Sequence, residues 1–196
     1  NKEEGMILII TNKRDIHSDI VIQKLKDRGA KFFRLNTEDF PLIIKSSLHS
    51  SREKIELPHI YLEYFSRQLD ISSVNTVYYR RPLDSILSPD IADTNDQNFI
   101  AKEIKVLLKG IWYLLENNFW MNYPHNNIKA GNKIFQLKLA KEIGFILPET
   151  VITNDPETAK RFFEKKDGNV VVKTMSGGFM ERNSKISLIY TNKINE

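Results

Sequence analysis

Short apolar runs alternating with amphipathic stretches make up the first half of the chain. Met6–Ile10 is an apolar run closed by Thr11 and Asn12, the pattern of a strand buried in a parallel sheet. Asp15 to Asp19 offers capping side chains, and a helix is predicted from about Ser18 to Arg28, with Ile20, Val21, Ile22 and Leu25 on its inner face. Gly29 closes it, because glycine takes a left-handed conformation without a Cβ penalty. Lys31–Leu35 alternates as a second strand, so the opening is predicted to be a right-handed β-α-β unit. Residues 42–73 are harder to read: Ile55–Phe65 has strand or hairpin character that Pro58 interrupts. Val74–Tyr79 is a clear β run. After a polar loop, Ser88–Asn98, apolar residues at Ile100, Ile104, Leu107, Leu108, Ile111, Leu114 and Leu115 predict a helix with one apolar stripe between Phe99 and Asn118.

The second half changes character. Met121–Pro124 reads as a short strand and turn, which sets a domain boundary at about residue 118 and divides the chain into 1–118 and 119–196. A helix is predicted over Asn132–Ile143, ended by Gly144 and barred from continuing by Pro148. Pro148–Asn154 reads as a strand. Asp155–Lys166 reads as a helix with Asp155 or Asn154 as N-cap and Pro156 in the first turn. Val170–Lys173 and Ile186–Tyr190 read as strands.

Composition adds bounds. The chain has 196 residues, with 41% hydrophobic and 28% charged content, which is ordinary for a globular protein. No apolar run approaches the ~20 residues of a membrane span, and Met6–Ile10, preceded by Glu3 and Glu4, is too short for a secretory signal. There is no cysteine, which removes disulfides, thiolate metal sites and a cysteine nucleophile, and fits a cytoplasmic setting. Basic and acidic residues balance over 1–119, so the net charge of +4 lies wholly in 120–196, where it favours anionic ligands. No Lys/Arg run is dense enough to argue for nucleic acid. His17, His49, His59 and His125 are scattered without metal-ligand spacing.

Two lysines stand out chemically. Lys133 opens a helix, and Lys173 ends a β-branched strand and is followed by Ser176, Gly177 and Gly178. A lysine brings a compact, rotatable charge to phosphate, and paired glycines let backbone N–H groups approach phosphate oxygens. On the residues alone, Lys133 is equally an ordinary solvated lysine. Arg80 and Arg81 follow the Val74–Tyr79 strand at its carboxyl end, where open α/β sheets place ligands. Two guanidinium groups there suit a carboxylate or phosphate, or a salt bridge to a neighbouring segment. The first β-α turn lacks G-x-G-x-x-G, which argues against a dinucleotide site.

The patterns Asn122-x-Pro124, Asn132-Lys133 through Gln136-Leu137 to Gly144-Phe145 and Pro148, and Val171-Val172-Lys173-Thr174 followed by Ser176-Gly177-Gly178 resemble ATP-grasp enzymes. Together with Ile7–Asn12, Phe33–Pro41 and Tyr78–Pro82, they look most like the ATP-grasp maturases of ribosomal peptides, of the microviridin and grasp-with-spasm type. The resemblance implies a Rossmann-like α/β pre-ATP-grasp domain, followed by the N-terminal part of an ATP-grasp fold with an α+β lid subdomain at about 148–196. It implies ATP contacts from Lys133, Lys173, Ser176, Gly177 and Gly178, and substrate contacts from Arg80 and Arg81. The activity implied is ATP-dependent activation of a side-chain carboxylate as an acyl phosphate, followed by ester or amide cross-linking of a ribosomal precursor peptide. The alternatives are a carboxylate–amine ligase of glutathione-synthetase-like or glutamate-ligase type, or a non-catalytic peptide-binding module. Such maturases often dimerise, so a homodimer is among the expectations, and neither nucleic acid nor membrane is an expected partner. They are longer than this chain and hold Mg²⁺ in a C-terminal lobe; the expectation is a fragment whose metal ligands lie elsewhere and which does not catalyse alone.

Overall fold

In the computed structural model the described residues are 5–49, 59–64, 67–176, 178–182 and 185–194. They form two compact units, Asn1–Asn126 and Asn127–Glu196.

The first unit is built on a parallel sheet. Strand β1 (Met6–Thr11) leads into helix α1 (Ile16–Asp27) and strand β2 (Phe32–Asn36), as the alternation predicts. Asp15 caps α1 by accepting the His17 N–H, and Gly29 takes a φ of +67°. The inner face of α1 is carried by Ser18, which is buried, with Val21, Ile22 and Leu25 half-buried, while Ile20 points outward. Next come β3 (Lys45–His49), β4 (His59–Tyr64) and β5 (Arg67–Asp70), a separate three-stranded antiparallel sheet in the stretch that was hardest to read. Strand β6 (Val74–Tyr79) then returns to the parallel sheet. Helix α2 (Thr94–Leu114) follows, and strand β7 (Phe119–Met121) closes the sheet in the order β2-β1-β6-β7, every pairing parallel. Residues 119–126 therefore belong to the first unit, beyond the boundary expected at residue 118.

The core explains the pattern. Leu8 and Ile10 of β1, Phe33 and Leu35 of β2 and Val77 of β6 pack with Ile104, Leu108, Ile111 and Trp112 of α2 and with its C-cap Leu115, one stripe at helical spacing. Leu62 and Leu69 of the antiparallel sheet join the same cluster. Trp112 and Trp120 are packing residues, as expected. Helix α2 starts earlier than its apolar stripe because the Asp93 carboxylate caps the Asn95 and Asp96 N–H groups, turning part of the polar loop into a first turn.

The second unit contains α4 (Lys133–Glu142), which follows helix α3 (Pro124–Gly131) in sequence, then α5 (Pro156–Lys165) with Asp155 as its N-cap and Pro156 in its first turn. Strand β8 (Val171–Val172) pairs antiparallel with β11 (Asn192–Lys193), and β9 (Phe179–Arg182) with β10 (Lys185–Leu188). The strand and turn read at Met121–Pro124 are the end of β7 and a bend at Asn122, after which α3 begins. One expectation is corrected here. Pro148–Asn154 forms no strand, because the segment finds no ladder partner and is held instead by ion pairs from Lys165 and Lys166 to Glu149. The second unit leaves Ile134, Leu139, Ile143, Phe145 and Ile146 exposed. No helix among the described residues is long and apolar enough to cross a membrane.

Candidate functional site

In the second unit the two candidate lysines converge on one loop. Asn132 caps α4 by accepting the Phe135 N–H at 3.0 Å, which sets Lys133 at the first helical position. From there its Nζ donates to the Met175 carbonyl at 3.0 Å, two residues past Lys173. Lysine has three donor hydrogens, so this bond leaves two for an anion. Lys173 follows β8 and is exposed. The Thr174 hydroxyl donates to the Ser176 carbonyl at 2.7 Å, curling the loop, and Ser176 is exposed. Gly177 lies outside the described residues. Gly178 has φ +70° and its carbonyl accepts the Ile189 N–H at 2.8 Å, while a Cβ at Gly178 would stand 2.4 Å from the Ile189 oxygen. Both the left-handed dihedral and the close backbone approach require glycine there. Replacing it with alanine is expected to break the Ile189 N–H bond, visible as faster hydrogen exchange at that amide; unchanged protection would show that the loop has room.

Lys133 Nζ and the exposed Lys173 are thus two cations on one glycine-bearing loop. Among the described residues no group of three His, Asp or Glu side chains could hold a metal ion.

In the first unit a dense polar cluster sits at the carboxyl ends of β1, β2 and β6, the edge where doubly wound sheets bind ligands. Asp15 is at its centre. It accepts hydrogen bonds from the Thr11 hydroxyl at 3.0 Å, the Ser18 hydroxyl at 2.7 Å and the His17 N–H at 3.2 Å, and an ion pair from Arg80 Nε at 3.2 Å. Burial pushes its carboxyl up, but the hydrogen bonds from Ser18, Thr11 and Arg80, with the Arg80 charge, outweigh that and hold it at about 2. The carboxylate occupies the α1 N-terminus, where a phosphate would sit in a nucleotide-binding turn, which agrees with the missing glycine fingerprint.

Around Asp15, Asn12 ties two more arginines down. Its Nδ2 donates to the Arg81 carbonyl at 2.6 Å and its Oδ1 accepts the Arg14 N–H at 2.9 Å. Arg81 is held at φ +45°, and its side chain, like that of Arg14, is exposed. Arg80 and Arg81 are therefore separated by the fold: the first lies on Asp15, the second faces outward. Glu38 accepts the Lys13 N–H on Oε1 at 2.6 Å, whereas its Oε2 is buried without a hydrogen-bond partner among the described residues. The ammonium group of Lys13 pairs with buried Asp39, whose other oxygen accepts the Tyr64 hydroxyl at 2.8 Å. The hydrogen bond to Asp39 raises the Lys13 pKa. Thr11, Ser18, Glu38 and Asp39 were not singled out from the sequence. The available signal was the run Thr37-Glu38-Asp39 directly after a strand, and hydroxyls four residues before and three after Asp15.

A family model described as the MvdD pre-ATP grasp domain matches residues 6–128. The chain belongs to that family. Solved structures extend the likeness over nearly the whole chain. The macrocyclase MdnC from Microcystis aeruginosa MRC, solved bound with precursor peptide MdnA, is 25% identical with a TM-score of 0.84, over 97% of this chain and 61% of MdnC. A RiPP-associated ATP-grasp ligase from Chryseobacterium gregarium, solved in complex with ADP and a leader and core peptide, is 28% identical with a TM-score of 0.85, over 97% of this chain and 56% of the ligase. The macrocyclase MdnB from Microcystis aeruginosa MRC is 26% identical with a TM-score of 0.74, over 97% of this chain and 61% of MdnB. The chain thus spans between 56% and 61% of the length of these relatives. No curated protein matches it. The mixed α/β fold with its parallel sheet and the ATP-grasp maturase resemblance are both upheld.

Proposed function

We propose that this chain supplies the pre-ATP-grasp domain and the lysine-bearing loop of an ATP-dependent ligase that modifies a ribosomally made precursor peptide. One observation carries the nucleotide part: Lys133, at the start of α4, reaches the backbone of the loop between Lys173 and Gly178. That bond brings the Lys133 ammonium to the loop that begins at Lys173 and ends at Gly178. The peptide part is supported by relatives solved with precursor, leader or core peptides.

The chemistry proposed is two displacements. A side-chain carboxylate oxygen attacks the γ-phosphorus of ATP, releasing ADP and forming an acyl phosphate. A hydroxyl or amine then attacks the acyl carbon, losing its proton and expelling phosphate to close an ester or amide. The task of Lys133 and Lys173 is to offset charge on the phosphates, a task made of positioning and electrostatics. The exposed apolar residues of α4 and of the segment after it support a further lobe of the same ligase packing over them.

The test is calorimetric titration of Mg·ATP into the longest natural chain containing this sequence, beside its Lys173→Ala variant. A micromolar-range dissociation constant that weakens at least about tenfold in the variant, roughly 1.4 kcal/mol, is the expected result. Absence of binding, or equal binding by the variant, removes the nucleotide site from this loop.

A further inference from the structure

The arginines of the first unit have a geometry that the nucleotide reading does not use. Arg80 meets Asp15 through Nε, and its two terminal Nη groups have no partner among the described residues. Its side chain is 31% exposed, while that of Asp15 is 4% exposed, so the guanidinium is anchored on its inner edge and open on its outer edge. Thr11, Ser18 and the His17 N–H hold the anchor itself. Arg14 and Arg81, fixed through their backbones by Asn12, expose side chains that also lack partners among the described residues. Asp39 is buried on Lys13 and Glu38 is buried, while the exposed Asp19 and Asp84 are paired with Arg34 and Lys105.

We infer that Arg80, flanked by Arg14 and Arg81, is a carboxylate-binding site for an acidic peptide segment, with Asp15 as its positioning residue. A guanidinium whose Nε is already bonded offers its Nη pair as a planar fork, which matches the two oxygens of a carboxylate. Arg14 and Arg81, whose side chains are exposed and unanchored, add two guanidinium groups at the same sheet edge, which suits a segment carrying more than one Asp or Glu. The origin of that segment in a precursor peptide rests on the ligase reading above; the site itself does not.

The test uses the longest natural chain containing this sequence, without nucleotide, and fluorescence anisotropy of a fluorescein-labelled Gly-Glu-Gly-Glu-Gly-Glu amide. The Gln counterpart of the probe, the Gln counterpart with a free C-terminus, and inorganic phosphate as competitor separate side-chain carboxylates from a terminal carboxylate and from a simple anion. The Glu probe should bind at least about tenfold more tightly than either Gln probe. Arg80→Ala should abolish the difference, and Arg80→Lys, which keeps the charge and can still pair with Asp15, should not restore it. Asp15→Asn provides a sign test. It removes a negative charge, so a diffuse basic field would bind the acidic probe more tightly; a positioning role requires weaker binding, by roughly three- to tenfold.

Equal binding of Glu and Gln probes, wild-type binding by Arg80→Lys, competition by phosphate as strong as by the unlabelled Glu peptide, or tighter binding by Asp15→Asn each overturns the inference. Mg·ATP titration of the same variants keeps the two readings apart. Intact ATP binding with no Arg80-dependent peptide binding sinks only this inference, and the converse result sinks only the nucleotide site.

Discussion

Replacing Trp112 with alanine is expected to lower the stability of the first unit by about 3–5 kcal/mol, the range for truncating a buried large aromatic side chain. The indole is 7% exposed in the main core cluster. It stands edge-on to Tyr79 at 6.2 Å and to Trp120 at 6.2 Å, and Trp120 in turn meets Tyr123 at 5.0 Å. Such ring pairs add about 0.5–1.5 kcal/mol each beyond the area they bury. The chain of rings ties α2 to β6 and β7, so its loss removes contacts that three elements share. Folded domains keep only about 5–15 kcal/mol in total, so the variant should stand near its unfolding midpoint in mild denaturant. Urea denaturation followed by circular dichroism measures this. A loss below about 1 kcal/mol would mean that neighbouring side chains close the cavity and that the ring cluster is not a main support of the sheet.

Acid should act on the first unit chiefly through Asp15. Its folded pKa of about 2 lies below the ordinary 3.8. A depressed carboxyl contributes stability that is fully present above pH 3.8 and is lost as pH falls from there through 2. The difference corresponds to about 2 kcal/mol. Asp15→Asn abolishes that pH-dependent part. Asp15→Ala should cost more at neutral pH, roughly 3 kcal/mol, because the Thr11 and Ser18 hydroxyls lose an acceptor and the Arg80 Nε loses its counter-charge. Denaturant unfolding at pH 7 and at pH 2.5 measures both effects. By pH 2.5 most but not all of the carboxylate's contribution is gone, so the wild type should lose about 1.6 kcal/mol more between the two conditions than Asp15→Asn does. Parallel losses would show that the carboxylate is not held by its partners.

Much of the fold was legible where local chemistry and global packing agree. Gly29 ends α1 at the predicted place because its φ of +67° suits glycine. Asp155 and Pro156 start α5 as read, because a capping carboxylate and a fixed φ act within one turn. The errors are instructive in the same terms. The polar loop at Ser88–Asn98 hid the first turn of α2, because capping by Asp93 matters more there than apolar period. Pro148–Asn154 has the composition of a strand but no ladder partner, and strand composition does not create one. The antiparallel sheet β3-β4-β5 carried too little alternation around Pro58 to be read. Ile20 was set on the inner face of α1, but the turn there is fixed by Ser18, whose hydroxyl is held by Asp15.

The candidate sites divide in the same way. Lys133 and Lys173 were visible because a charge at a helix start and a charge after a β-branched strand are anomalies within a few residues of sequence. The bond that joins Lys133 to the loop spans 42 residues and was not visible. Arg80 was visible as a cation beyond a strand end, but not its anchor, since Asp15 lies 65 residues away. Thus the sequence by itself determined the elements of the parallel β-α-β opening, β6, the capped helices α4 and α5, and the family. The tertiary structure alone decided the sheet order β2-β1-β6-β7, the pairing of Arg80 with Asp15, the burial of Glu38, and the separation of Arg80 from Arg81. The physical reason is range. Capping, dihedral preference and periodicity act within one or two turns of chain, whereas register between distant strands follows from the fit of the whole core, and that register chooses which polar side chains meet.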